Sequence, residues 1–355
     1  MEIPKRLSYG FREYFCMKCE RIADFSSLPF DENLSIWSGA EFTECFIDIE
    51  GDNKPKPWFD TRVKMRWSDE GLYFLAIMQG DEVWANVKNR DEVIFQDNDF
   101  EIFLDPDGDT HNYIELEINA INTVWDLLLT KPYRNGGLPL NSFDIKGLLT
   151  KTEIREKDGK VQDWRTIIFM PFTSIKEVDK LHEEEIKIGD YYRLNFSRVH
   201  WNTDFVEGAY VKRLDEFNSI LPEENWVWSE QGLINMHYPE NWGYLYFCDD
   251  KSLSKIKEIV RSKKHQTLCM TQLFLRKIWY LEHNYKEKFG CFADERGLSE
   301  EFSVSFSEIV NEFPLEYKIY ACGDCLRLTC NSDGEIASLD EDGKFSLNGL
   351  GRLTL

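Results

Sequence analysis

The stretch from Gln96 to Asn119, QDNDFEIFLDPDGDTHNYIELEIN, limits the fold more than any other part of the chain. Phe100, Ile102 and Leu104 alternate with Glu101, Phe103 and Asp105, and Ile114, Leu116 and Ile118 alternate with Glu115, Glu117 and Asn119. A two-residue period is the mark of a strand with two unlike faces. Asp105-Pro106-Asp107-Gly108-Asp109 between the runs is turn chemistry. The stretch therefore predicts a β-hairpin that carries Glu101, Glu115, Glu117 and Asn119 opposite its apolar side. A sheet face with that many carboxylates has to be wet or has to hold a polar ligand.

Similar short alternating runs recur on both sides of the hairpin. Thr61 to Trp67 and Leu72 to Met78 flank the turn Ser68-Asp69-Glu70-Gly71, and Phe42 to Ile49 reads as an earlier strand after an irregular segment over residues 1–36. Thr123 to Leu129, Ile145 to Arg155, Trp164 to Met170, Tyr191 to Trp201, Trp226 to Trp228 and Trp242 to Phe247 follow. Many short strands with almost no helix fit a β-sandwich. After Asp249-Asp250 the character changes. Leu273, Leu275, Ile278, Trp279, Leu281 and Tyr285 recur at helical spacing, and alternation resumes from Phe302, punctuated by Asn331-Ser332-Asp333-Gly334 and Asp340-Glu341-Asp342-Gly343. The expected fold is mainly β: an immunoglobulin-like or jelly-roll-type antiparallel β-sandwich over residues 1–249, then a small α+β unit, a long helix plus a meander sheet, over residues 250–355.

Charge separates the function classes. With 42 Lys and Arg against 64 Asp and Glu, the net charge of −22 repels a phosphate backbone, so nucleic acid is excluded as a main partner. Aromatic residues make up 14 % of the chain, and their flat apolar faces suit the stacking of a neutral sugar. Two CxxC pairs, Cys16/Cys19 and Cys322/Cys325, are far apart in sequence and lack a His at ligand spacing, so ordinary reduced cysteines are expected rather than a zinc site. No apolar run is long enough to span a membrane. MEIPKRLSYGFREYF lacks a leader, so the chain reads as cytoplasmic, or as extracellular or periplasmic if its start is trimmed or misassigned.

Several constellations are candidate sites. Arg198 lies in NFSRVHW on a strand beside Trp201, where a guanidinium can hold hydroxyls or a carboxylate. Trp228 and His237 fall in the aromatic segment from Trp226 to Gly243 and could wall a pocket, and Trp125 lies in the strand after the hairpin. Asp105, Asp107 and Asp109 resemble the start of a calcium loop, without the closing Glu. Paired carboxylates would also suit a glycoside hydrolase. Met236 with His200 or His237 would suit a haem. No GxSxG, HExxH, P-loop or GxGxxG motif is present.

Taken in order, VKMRWSDEGLYFLAIMQGDEVW, DNDFEIFLDPDGDTHNYIELEINA, WRTIIFMPF, GDYYRLNFSRVHW, WVWSE and HYPENWGYLYF resemble the carbohydrate-binding module family 9-like domains, β-sandwiches related more distantly to DOMON-type haem and sugar domains. The resemblance covers residues 35–248 and is to members of the Bacteroidetes type. It implies non-catalytic binding of a mono- or oligosaccharide in glycan utilisation. The sugar would be held between two aromatic side chains, at Phe95 and at the position of Met236, with His237 or Trp228 in the place of the latter. The resemblance puts Glu101 at the acidic contact and Glu117 where sugar binders can carry a base. It implies structural calcium, with Asp81 as one ligand, and no other cofactor. The expected carbohydrate site is Phe95, Glu101, Glu117, Asn119, Trp125, Arg198, Trp201, Trp228 and His237; the expected metal ligands are Asp81, Asp105, Asp107 and Asp109. The unit after residue 250 is expected to offer a surface for a protein partner.

Overall fold

The computed structural model describes residues 12–182, 185–312, 315–332, 334–347 and 350–353. The opening MEIPKRLSYGF, read above for its lack of a leader, lies outside them. Most of the alternating runs become strands. They are Glu13–Lys18 (β1), Ile47–Asp48 (β2), Thr61–Ser68 (β3), Gly71–Gln79 (β4), Asp99–Asp105 (β5), Tyr113–Asn119 (β6), Val124–Leu129 (β7), Pro139–Leu140 (β8), Leu149–Lys157 (β9), Lys160–Pro171 (β10), Tyr191–His200 (β11), Thr203–Val206 (β12), Ala209–Lys212 (β13), Glu224–Val227 (β14) and Gly243–Cys248 (β15). All but the small β12–β13 ribbon join one sheet in the order β8-β7-β6-β5-β11-β15-β1-β3-β4-β10-β9, with β14 and β2 added beside β11.

This sheet curls so that its two halves face each other. Val63, Met65 and Trp67 of β3, Phe74, Ala76 and Met78 of β4, and Ile168 and Met170 of β10 meet Phe100, Ile102 and Leu104 of β5, Ile114, Leu116 and Ile118 of β6, and Leu194 and Phe196 of β11 in one buried core. Trp228 is fully buried in that core, 5.8 Å from Phe196, and gives its indole N–H to Glu44 at 3.0 Å. Gly243 is obligatory beside it, because a Cβ there would come within 2.5 Å of the Trp228 ring.

Three local readings need correction. Residues 1–36 were expected to be irregular, yet β1 sits between β15 and β3 and pairs parallel with both. Its run EYFCMK shows no polar face because both faces are buried: Tyr14 and Cys16 turn into the main core while Phe15 and Met17 pack against Ile256 and Val260. From Phe42 to Ile49 only Ile47–Asp48 is a strand, although Thr43 and Phe46 still donate their N–H groups to Val63 and Thr61. The third misreading lies after Phe302, where alternation suggested strands. Ser303–Glu312 is a helix, and its Phe306, Ile309 and Val310 share one face and pack against the C-terminal core.

The C-terminal region has helices Leu253–Val260 (α2, counting Phe172–Ile175 as α1), Lys263–Phe289 (α3), Glu295–Glu301 (α4) and Ser303–Glu312 (α5), and strands Tyr317–Cys322 (β16), Cys325–Ser332 (β17), Glu335–Asp340 (β18) and Phe345–Ser346 (β19). The last four form a meander sheet against α3. Cys322 and Cys325 flank its first turn as cross-strand partners, and both are free, as are Cys16 and Cys19.

The α3 helix is fastened to the sandwich through Glu240. Arg134 grips both carboxylate oxygens at 3.0 and 2.8 Å, Arg276 of α3 stands 3.8 Å away, and the Tyr280 hydroxyl also donates to it. Burial pushes the Glu240 carboxyl up, but Arg134 and Arg276 outweigh it and hold the group at about 2. A second fastening joins the turn after β18 to the hairpin turn: Thr110 Oγ1 donates to Gly343 O at 2.9 Å, Phe345 N to Asp109 O at 3.1 Å, and Lys344 pairs with Asp109 at 2.8 Å. Glu240→Gln leaves two buried guanidiniums short of their counter-charge and is expected to cost about 3–5 kcal/mol of stability in urea unfolding. Because the folded carboxyl lies below its ordinary value, its contribution is complete above about pH 4.5 and is lost as pH falls through about 2.

Candidate functional site

The outer face of the β5–β6 hairpin is not a solvated edge. Register pairs Asp99 with Asn119, Glu101 with Glu117 and Phe103 with Glu115, so Asp99, Glu101, Glu115 and Glu117 share one face. On either side Trp125 pairs with Glu117 and Ser197 with Glu101. All four carboxylate residues are buried. Near the hairpin turn the same face is apolar: Phe103, Tyr113, Leu127 and Leu129 pack under Met236 and Trp242. The carboxylates occupy the other half of that face and are buried as well.

Burial pushes the Glu101 carboxyl up to about 7, and it holds Asp99, Glu115 and Glu117 well above the usual carboxylate range, with the charge of Glu101 adding to each. Oxygens of Asp99, Glu101 and Glu117 lie within 4.8 Å of one another. Val199 N–H bonds Asp99 Oδ1 at 3.0 Å, Phe95 N–H bonds Glu117 Oε2 at 3.0 Å, the Ser197 hydroxyl acts on Glu101, and Glu115 and Glu117 act on each other.

That second bond fixes Phe95 at the rim, where 39 % of it is exposed, with its ring centroid 6.4 Å from that of Trp125. On the other side stands Tyr133, 43 % exposed, in edge contact with His237 at 4.5 Å. Burial and then the charges of Glu115 and Glu117 push the Tyr133 hydroxyl up to about 12. His237 bonds the Tyr113 hydroxyl at 3.0 Å, and burial, with Arg134 beside it, pulls its imidazole down to about 3, so the ring is neutral. Phe95 and Trp125 thus stand beside Glu117, while Tyr133 and His237 form a second aromatic pair next to Phe103 and Tyr113.

The other expected site residues divide. Trp201 backs the rim rather than lining it, donating its indole N–H to Phe95 O at 2.9 Å. Asn119 is consumed by the fold: its amide donates to Val87 O and Asp97, and its oxygen accepts the N–H groups of Ile121 and Thr123. Arg198 is turned to the opposite face of β11, bonded to the Thr61 hydroxyl at 3.0 Å and stacked over Trp226, so it cannot join Glu101 and Glu117. Trp228 belongs to the inner core and walls no pocket. His200 shares the Arg198 side, 4.9 Å from Trp226, whereas Met236 packs on the outer face with Trp242; the sheet keeps them from one haem iron. Tyr133 is the aromatic residue that sequence reasoning missed, because a lone aromatic before a Gly-Gly loop carries no periodic signal.

Of the expected metal ligands, Asp81 is exposed and stands outside the carboxylate clusters. Asp105, Asp107 and Asp109 are buried, and their oxygens lie within 4.8 Å of one another. Asp105 accepts the N–H groups of Gly108 and Thr110, and Asp109 accepts that of His111. A carboxylate that caps its own loop keeps a lone pair for a hard cation, and only Lys344 forms an ion pair with the trio among the described residues, so the set fits calcium.

Residues 32–133 match the family described as carbohydrate family 9 binding domain-like, and the chain carries that domain-like segment. No curated protein matches the chain. Among solved structures it is similar to a carbohydrate binding module family 9 protein from Caldicellulosiruptor kristjanssonii in complex with glucose (14 % identity, 67 % of this chain and 96 % of that one, TM-score 0.43). It is also similar to the C. kristjanssonii family 9 module in complex with cellotriose (14 %, 67 % and 94 %, TM-score 0.42). A third similar structure is a candidate carbohydrate-binding protein from Bacteroides uniformis (13 %, 67 % and 99 %, TM-score 0.47).

The buried floor has a measurable consequence. A carboxyl whose folded value is raised gives stability that is complete below its ordinary value and is lost as pH rises through the raised one. Stability is therefore expected to fall as pH rises above about 4.5, with Glu101 contributing up to about 7 and Asp99, Glu115 and Glu117 extending the fall beyond it. Glu101→Gln is expected to make the slope between about pH 4.5 and 7 shallower and to equal or exceed the parent in urea melts above it. An unchanged slope would mean that Glu101 is solvated.

Proposed function

With the family 9-like segment as premise, we propose that the protein binds carbohydrate non-catalytically on the outer face of β5–β6, in glycan utilisation. One observation carries the reading: the part-exposed Phe95 ring, 6.4 Å from Trp125, stands beside the acceptors of Glu117 and Glu101, all within the matched segment. A pyranose offers a ring of apolar C–H bonds to aromatic faces and hydroxyl donors to Glu101 and Glu117. Stripping water from the carboxylates makes each hydroxyl contact stronger than it would be at an open surface. We also read the chain as two units divided at residues 249 and 250, the second buttressing the hairpin turn and presenting the remainder of its surface to a protein partner.

A hydrolase would need carboxylates on both sides of the scissile bond. Those here lie on one floor, to the same side of any ring resting on it. Calorimetric titration with a panel of mono- and oligosaccharides is expected to show binding that Trp125→Ala or Phe95→Ala weakens about tenfold, in keeping with the ~1 kcal/mol of an aromatic contact. Silence with every sugar, or turnover of an aryl glycoside, would count against it.

The Asp105–Asp107–Asp109 cluster is read as a structural calcium site beneath the C-terminal turn. Calcium added to chelator-treated protein is expected to raise the melting temperature, and Asp107→Asn to abolish the increment. An equal shift in the variant would place the ion elsewhere.

A further inference from the structure

We propose that Cys322 and Cys325 form a redox-active dithiol that exchanges with low-molecular-weight disulfides, closing and reopening a disulfide across the first turn of the C-terminal meander. The chain has nine cysteines, all free in this structure. Four of them are exposed: Cys45, Cys291, Cys322 and Cys325. Three of those four gather at one corner. Cys322 ends β16, Cys325 begins β17, and the strand register sets the two directly opposite each other. Phe292, next to Cys291 just past the end of α3, donates its N–H to Gly323 O at 3.1 Å, which brings Cys291 to the same turn.

The geometry suits a disulfide between the opposed pair. Residues directly opposite on antiparallel strands have Cα atoms about 4.5–5.5 Å apart, inside the range of about 4.4–6.8 Å that a disulfide spans. Only Gly323 and Asp324 separate the two, and Gly323 takes φ +60° with open space where a Cβ would stand, so the turn is tight and reachable from solvent. Closing so short a loop adds little stability, because that gain grows with the length of chain enclosed. The pair is thus a poor staple and a good site for a bond that opens and closes. Zinc is less well served: among the described residues every cluster of three or more ligand side chains within 4.8 Å is made of carboxylates, and neither cysteine belongs to one. The exchange has two steps. One thiolate of the pair attacks a sulfur of the small disulfide, forms a mixed disulfide and expels a small thiolate, which takes up a proton. The second cysteine loses its proton, attacks the protein sulfur of the mixed disulfide, forms the Cys322–Cys325 bond and expels the other small thiol. The protein dithiol is oxidised by two electrons and the small disulfide is reduced by two. Since the second thiol is already held opposite the first, the closing step is intramolecular and outruns the capture of another small disulfide.

The test takes the full chain, reduced and desalted, and incubates it with glutathione disulfide near neutral pH. Rapid maleimide labelling of the folded protein, which reads the four exposed thiols, is expected to lose the two of this pair. Peptide mapping should link Cys322 to Cys325, with two hydrogens lost and no glutathione retained on either. Reduced glutathione in excess should reopen the bond and restore the labelling. Cys325→Ser is expected to stop at the mixed disulfide and keep one glutathione on Cys322, whereas Cys291→Ser leaves closure unchanged; the melting temperature of each variant checks its folding. Four outcomes overturn the proposal: both thiols of the parent staying reduced, glutathione persisting on Cys322 or Cys325 of the parent, a link from Cys291 to either of them, or a Cys322–Cys325 bond that reduced glutathione cannot reopen.

Discussion

A hairpin buried on both faces governs this structure. A strand sends alternate side chains to opposite sides, so β5 and β6 must satisfy two environments at once. Phe100, Ile102, Leu104, Ile114, Leu116 and Ile118 meet the first by joining the inner core of the curled sheet. The second side carries Asp99, Glu101, Glu115 and Glu117, and a slip of one residue in register would drive those acids into hydrocarbon. The register of the hairpin, and hence of its neighbours β7 and β11, is fixed by that penalty. The same penalty keeps the outer carboxylates together as a group.

The C-terminal helices and meander act on this hairpin from its turn. Gly343, Lys344 and Phe345 bond to the segment around Asp109 and Thr110, while Arg134, Glu240, Arg276 and Tyr280 tie α3 to the loops beside the site. Tyr133, adjacent to Arg134, and His237, whose carbonyl accepts from Arg134 at 2.6 Å, form an aromatic pair held by that network. The extension therefore positions that pair. Site and extension share one framework, which gives Glu240 importance beyond its local ion pairs.

How much was legible in the sequence follows from this physics. Strands with one polar and one apolar side, such as β3 and β5, announce themselves by alternation, and so did the placement of Glu101 and Glu117 on one face. The strand β1 did not, because burial of both its faces erased the contrast. The helix α5 mimicked a strand because Phe302, Val304 and Phe306 alternate by chance. Asn119 was grouped with the site by its alternation, and Arg198 and Trp228 by the aromatic and polar residues around them, but strand parity sends Arg198 and Trp228 to the inner side and hydrogen-bond demand uses Asn119 within the fold. Tyr133 was invisible because its role depends on a loop folded back over the sheet, which no local pattern encodes. The family 9-like match spans the hairpin and reaches Tyr133.

The central claim is that this face, and neither the inner core nor the exposed ribbon of β12 and β13, receives the ligand. Indole N–H resonances in ¹⁵N-labelled protein report on it directly, since Trp125 is at the rim, Trp201 behind it and Trp228 in the core. Titration with a bound sugar should shift the Trp125 indole signal most, Trp201 less, and leave Trp228 in place. A shift confined to Trp228, or to tryptophans remote from Glu117, would contradict the account.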